Sequence, residues 1–226
     1  PNTTVEIGEN SLITTTWYFD GVSILNGRGK TLYLGTGGSI VLRPGSSLLI
    51  DNINLKGVKT GKIFCMDNSG TFSFGNVMWM QNADYTFTQG RFDVTGDWEL
   101  VGTSTFGYQT TRQSLITSDG HMMLDSGMSF SYTPLTDNRD LLAMESVDAQ
   151  LHLNSASLIS TTTGIRLTKG TLLVDGASTL LNNAAAAQSE AISIGNGVPA
   201  DELSIIIGSG AQLELVSGIL FYDQEE

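Results

Sequence analysis

Cysteine is nearly absent from this chain. Cys65 is the only one in 226 residues, so no disulfide can close within it. The neighbours Ile63, Phe64 and Met66 mark Cys65 as a small buried thiol rather than a reactive one. One cysteine leaves the redox compartment open. Basic residues are scarce as well: 11 Lys and Arg stand against 23 Asp and Glu, for a formal net charge of -12. A nucleic-acid groove or a surface for anionic lipid needs the opposite balance, so neither partner is expected. No apolar run reaches the roughly 20 residues of a membrane-spanning helix, and no membrane insertion is expected. There are 2 histidines, no Cys/His cluster, no Gly-x-Ser-x-Gly and no phosphate-binding Walker loop. No metal and no cofactor is therefore expected. The chain begins at Pro1 with no signal-peptide pattern, which reads as a processed product or an excised fragment. Further coils of the same chain are then among its expected partners.

What the chain does have is a three-strand unit that returns out of strict period. Its leading strands are Gly70-Thr71-Phe72-Ser73-Phe74, Gly90-Arg91-Phe92-Asp93-Val94, Gly120-His121-Met122-Met123-Leu124, Ala149-Gln150-Leu151-His152-Leu153, Gly170-Thr171-Leu172-Leu173-Val174 and Asp201-Glu202-Leu203-Ser204-Ile205. Apolar residues alternate with period two, the mark of a strand with one buried face. A second stretch follows, as in Val77 to Met80, Trp98 to Val101 and Met128 to Phe130. A third closes the unit, as in Tyr85 to Phe87, Ser114 to Ile116 and Gly164 to Leu167. Corners such as Gly75-Asn76 and Asp175-Gly176 supply positive φ and side chains that bond their own backbone. Long insertions fall between second and third stretches, at Gly102 to Arg112, Thr133 to Asp140 and Asn182 to Glu190.

A unit of this size cannot bury its apolar face alone and must stack on copies of itself. The expected fold is an all-β, parallel solenoid with three short strands per coil, a single domain. Residues 1 to about 20 form an N-terminal cap in which Trp17, Tyr18 and Phe19 cover the first coil. Coils run from about Thr31 to Phe221, and an acidic tail closes residues 222–226. Between Lys56 and Asp67 the pattern does not fix the register. Stacking predicts one interior column of Phe72, Phe92, Met122, Leu151, Leu172 and Leu203, and a second of Phe74, Val94, Leu124, Leu153, Val174 and Ile205. A β-sandwich is the alternative. Hairpin signals are few, with Asn-Gly only at Asn26-Gly27 and Asn196-Gly197.

The three-strand coil with insertions after its second strand resembles the right-handed parallel β-helix proteins, the pectin-lyase-like superfamily and the bacterial surface β-solenoids. The resemblance covers roughly Thr31 to Phe221. It implies an extracellular or cell-surface protein. Enzymes of that superfamily cut acidic polysaccharides with carboxylates or basic residues on the outer face of one strand ladder. On the expected ladder those positions hold Arg91, Asp93, His121 and His152, the best catalytic candidates of the chain. The plainer reading is preferred for each. Asp93 has no second carboxylate one rung away, and Arg91 would pair with it on the surface. Two histidines without a nearby third ligand make a weak metal site. Trp79 and Trp98 stand at apolar positions and are expected in the core. Phe106 and Tyr108, in the first long insertion, and Tyr132, at the edge of the next, are expected as exposed aromatics that could line a binding groove.

Three functions follow as expectations. The first is a non-enzymatic structural or surface module. The second is an adhesin-like module taking a carbohydrate or protein ligand on Phe106, Tyr108 and Tyr132. The third is a polysaccharide lyase or hydrolase centred on Arg91, Asp93, His121 and His152.

Overall fold

The computed structural model describes residues 3–160, 164–182, 190–195, 198 and 201–222. Among them there is no helix, and strand makes up 60%. The chain winds as a parallel β-solenoid of about 8 turns, each lap laying strand on three faces. β1 (Thr3–Glu6), β2 (Ser11–Ile13) and β3 (Thr16–Phe19) open the first, second and third faces in that order. β4 (Val22–Leu34) bends round a corner, so that its front half lies on the first face and its rear half on the second. β5 (Ser39–Leu42) returns to the third face, and β6 (Ser47–Val58) bends as β4 does. The corner residue of β6, Asn52, has φ 49°, a left-handed conformation that Asn tolerates better than most residues.

From there each lap uses separate strands, given in the order third, first, second face. They are β7 (Ile63–Cys65), β8 (Thr71–Phe74) and β9 (Val77–Gln81), then β10 (Tyr85–Phe87), β11 (Arg91–Val94) and β12 (Asp97–Gly102). Next come β13 (Thr105–Tyr108), β14 (Ser114–Ile116) and β15 (His121–Leu124), then β16 (Ser129–Tyr132), β17 (Leu142–Met144) and β18 (Gln150–Asn154). β19 (Ser157–Ser160), β20 (Ile165–Leu167) and β21 (Gly170–Asp175) precede β22 (Ala177–Asn182), β23 (Glu190–Ile194) and β24 (Leu203–Ile207). β25 (Gln212–Leu215) and β26 (Ile219–Tyr222) end the described chain. Every pairing is parallel. The parallel solenoid expected from the repeats is therefore the fold, and no hairpin ladder occurs among the described residues.

The register differs from expectation at two places, and the larger difference comes from one strand. Thr105-Phe106-Gly107-Tyr108 is β13, a full rung of the third face between β10 and β16. The sequence reading placed it in a loop, which left that lap one strand short. The strands on either side of it were then matched across the wrong faces, while the later laps kept their true neighbours. Phe92 does stack on Phe72, and Met122, Leu151 and Leu172 do stack on one another. Met122, however, lies on Trp98 of the second face, while β11 continues into β14. The predicted column is thus two columns on adjacent faces. At the far end Leu203 pairs with Gly170 and Ile205 with Leu172, a slip of two residues from the expected partners. The insertion at Thr133 to Asp140 does leave from the third face, between β16 and β17. Residues 183–189 of the last insertion lie outside the described residues, as do the acidic residues 223–226.

The interior is a continuous stack of apolar side chains. Its middle is aromatic: Trp79, Trp98, Phe72, Phe92, Phe106 and Phe130 are all essentially inaccessible. The Phe74 ring stacks on Trp98 at 4.3 Å, Phe106 on Phe130 at 5.6 Å and Tyr108 on Tyr132 at 5.6 Å. Buried polar groups are tied to backbone that leaves the ladders. Lys62 Nζ donates to the carbonyls of Thr36 (2.8 Å), Gly38 (2.9 Å) and Gly35. The Tyr85 hydroxyl donates to the Ile63 carbonyl at 2.6 Å, linking two rungs of the third face that share no ladder.

Candidate functional site

Phe106, Tyr108 and Tyr132, expected as exposed loop aromatics, lie on β13 and β16 with their rings in the core. They are 1%, 0% and 1% exposed, so they cannot line a surface groove. Their positions alternate with Gly107 and Ser131, as in any strand whose every second residue faces inward. The two tyrosines sit there because their hydroxyls have partners at the core's edge. The single Tyr108 hydroxyl proton is shared between the carbonyls of Leu141 (2.7 Å) and Arg112. Tyr132 donates to the Asn138 carbonyl at 2.5 Å and accepts from the Leu141 amide at 3.1 Å. Both rings thus fasten the corners between the third and first faces. Arg166 adds a two-pronged grip on Asp140, with Nε to Oδ1 at 2.7 Å and Nη2 to Oδ2 at 2.6 Å.

The four predicted catalytic positions separate into two pairs on two faces. Arg91 and Asp93 are on β11 of the first face, joined from Nη2 to Oδ2 at 2.7 Å. Asp93 pairs with Ser73 on one side and Leu115 on the other, so no carboxylate stands opposite it. Burial pushes its carboxyl above the usual range, the Arg91 charge offsetting only part. Asp93 Oδ1 and Arg91 Nε are buried without a partner.

His121 and His152 lie on β15 and β18 of the second face, one rung apart and on neighbouring columns. Their rings stack at 5.5 Å with 11° between planes. His121 is not beside Arg91, as the expected ladder had it; its partner is Asp97, across the rung, with Nδ1 3.4 Å from Oδ1. His152 Nε2 is 2.9 Å from Asp175 Oδ2. Asp175 ends β21, one rung along from Asn154, whose Nδ2 donates to Asp125 Oδ1 at 2.8 Å. Glu99 pairs with Met123 in the same strip, and burial followed by Asp125 and Asp97 holds its carboxyl above its ordinary value.

Each imidazole therefore has one nitrogen directed at a carboxylate and one, His121 Nε2 and His152 Nδ1, buried without a partner. Burial, then the neighbouring His152, keeps His121 below the usual imidazole value despite Asp97. The strip can orient two imidazole rings and hold them at fixed spacing. Among the described residues no hydroxyl or thiol is hydrogen-bonded to either free nitrogen. Among the described residues no group of three or more His, Cys, Asp and Glu is arranged to hold a metal ion.

Asp97 and Asp175 were not foreseen as partners of the histidines. Two signals were present: an Asp at the corner before β12 and another before Gly176. Both became informative only once the rungs were in register.

Comparison with protein-family models, curated proteins and solved structures finds no match to this chain.

Proposed function

We propose that this chain is a non-enzymatic, structural β-solenoid module, a rigid spacer in an extracellular or envelope protein. The resemblance to the pectin-lyase-like superfamily is taken as one of architecture and not of catalysis. One observation carries the reading: the chemically capable side chains are engaged with one another in pairs. Arg91 is used by Asp93, His152 by Asp175 and Arg166 by Asp140. A glycosidase keeps two carboxylates about 5 to 9.5 Å apart across an open cleft. Here Asp93 faces Ser73 and Leu115, and the carboxylates of the second face flank histidines and Asn154. Phe106, Tyr108 and Tyr132, the aromatics expected to serve an adhesin, are spent on the core.

The test is a panel of acidic polysaccharides incubated with the parent protein and with Asp93→Asn, His121→Gln and His152→Gln. The expected result is no product from any of the four. Turnover by the parent that any of these substitutions abolishes would overturn the proposal.

A further inference from the structure

We propose that the corner between the second and third faces, around Lys62, is a binding site for a small organic anion, an aromatic carboxylate of one or two rings. The inference goes beyond the structural role and leaves it standing, since a spacer can also hold a ligand.

Successive laps turn this corner from β2 to β3, β4 to β5, β6 to β7 and β9 to β10. The second of these turns, Gly35-Thr36-Gly37-Gly38, is drawn in against the lap before it. A Cβ at Gly37 would collide with the Thr14 carbonyl, and one at Gly38 with the Ile13 carbonyl. Over this turn lies a depression of about 430 Å³, the size of a small-molecule site. Leu12 and Tyr33 wall it. They are partners on neighbouring rungs, 59% and 46% exposed on the outside of the second face. Both lean toward the corner over glycines. A Cβ added at Gly35 would stand 3.0 Å from Leu12 Cδ1, and one at Gly57 would stand 3.5 Å from Tyr33 Cζ. The two side chains offer an apolar surface on which a flat ring can lie.

Charge selects the other half of the ligand. Lys62 also lines the depression and is 7% exposed, with its ammonium bonded to the carbonyls of Gly35, Thr36 and Gly38. Those carbonyls satisfy its protons but carry no net charge, and a buried charge without a counter-ion is unfavourable. Lys59 lines the same depression, and neither lysine has an ion-pair partner among the described residues. No Asp or Glu is among the described residues that line it, in a chain with 23 acids against 11 bases. Asp84, two residues past Asn82, accepts from the Thr105 amide at 2.9 Å instead. The side chains of Lys59, Asn82 and Thr14, all lining residues, have no hydrogen-bond partner among the described residues. They supply the protons for a carboxylate, and Lys62 supplies a second positive charge from below. A bare inorganic anion would leave Leu12 and Tyr33 uncovered. A lysine serving only to clamp the turn would need neither Lys59 nor Tyr33, which gives the test its leverage.

The probe is 2-naphthoate, with the neutral 2-naphthamide as its control, titrated into the full chain by calorimetry. The parent should bind naphthoate saturably at one site per chain, and more weakly as salt is added. Naphthamide should bind at least about tenfold more weakly, the loss expected on removing a charge-assisted hydrogen bond. Lys59→Gln should weaken naphthoate by about tenfold and leave naphthamide unchanged. Tyr33→Ala should weaken both ligands by about fivefold. Lys62→Met keeps the stem without the charge and should abolish naphthoate binding. Should that variant lose its far-ultraviolet circular dichroism, Lys59→Gln and Tyr33→Ala, both at exposed side chains, decide alone. No saturable binding by the parent overturns the proposal. So does equal affinity for the amide, or naphthoate binding that neither Lys59→Gln nor Tyr33→Ala weakens. The readout is binding and not product, so failure here leaves the polysaccharide test untouched, and product in that test would leave this result standing.

Discussion

Single residues in this protein are governed by which side of the ladder they take. Cys65 is 2% exposed on β7, and burial, then Asp67, pushes its thiol up to about 12. The thiolate is the reactive form, so the folded protein should be inert to a disulfide reagent near pH 8. One equivalent should react in concentrated urea, and a rapid reaction under native conditions would contradict the placement. His121 gives a second expectation. Its pKa is lower in the folded protein than in the unfolded chain, so the unfolded state takes the proton first. The stability it contributes is present above the ordinary value near 6.5 and is lost as pH falls through the folded value. Asp93 and Glu99 act oppositely, since their raised values favour folding at lower pH. The clean measure is the urea midpoint of the parent minus that of His121→Gln. That difference should fall between about pH 8 and pH 5. A difference independent of pH would count against the burial of the ring.

At the scale of the strand, β13 decides most. Phe106 has ring contacts with Trp79, Tyr85, Phe92, Trp98 and Phe130 at 5.1 to 6.1 Å between centroids. Phe106→Ala should therefore cost about 3–5 kcal/mol in urea unfolding, the range for emptying an aromatic site in a packed core. An exposed loop aromatic would cost within about 0.5 kcal/mol, so the measurement separates the two placements. The strand was hard to see because its outward position between the rings is Gly107 and its flanks, Thr103-Ser104 and Gln109-Thr110-Thr111, read as loop. Most other strands were legible from period-two alternation alone. Their assignment to faces was not, because all three faces alternate alike and nothing in the pattern names the face. The slip at Leu203 has a related cause. A shift of two residues keeps every side chain on its own side, so alternation cannot detect it.

At the scale of the whole molecule, stability runs along one axis. A middle rung such as β12 is held by β9 and β15, whereas β24 is held by β21 alone. Cooperative opening should then start at the ends, where each rung lacks a neighbour. Amide hydrogen exchange should be slowest in β11, β12 and β15 and fastest in β24 to β26, with a uniform rate along the rod counting against a one-dimensional stack. The candidate site shows the same division of information. His121 and His152 stood out in the sequence as the chain's only histidines, and Asp93 as a carboxylate inside a strand. Their partners did not, because Asp97 and Asp175 come from other laps and meet the rings only through the stacking. The amino-acid sequence by itself determined the strands, their buried sides and the need to stack, since alternation and corner residues act within a few neighbours. Tertiary structure alone decided which lap lies on which, because contacts between rungs depend on a count of strands per turn that no local pattern records.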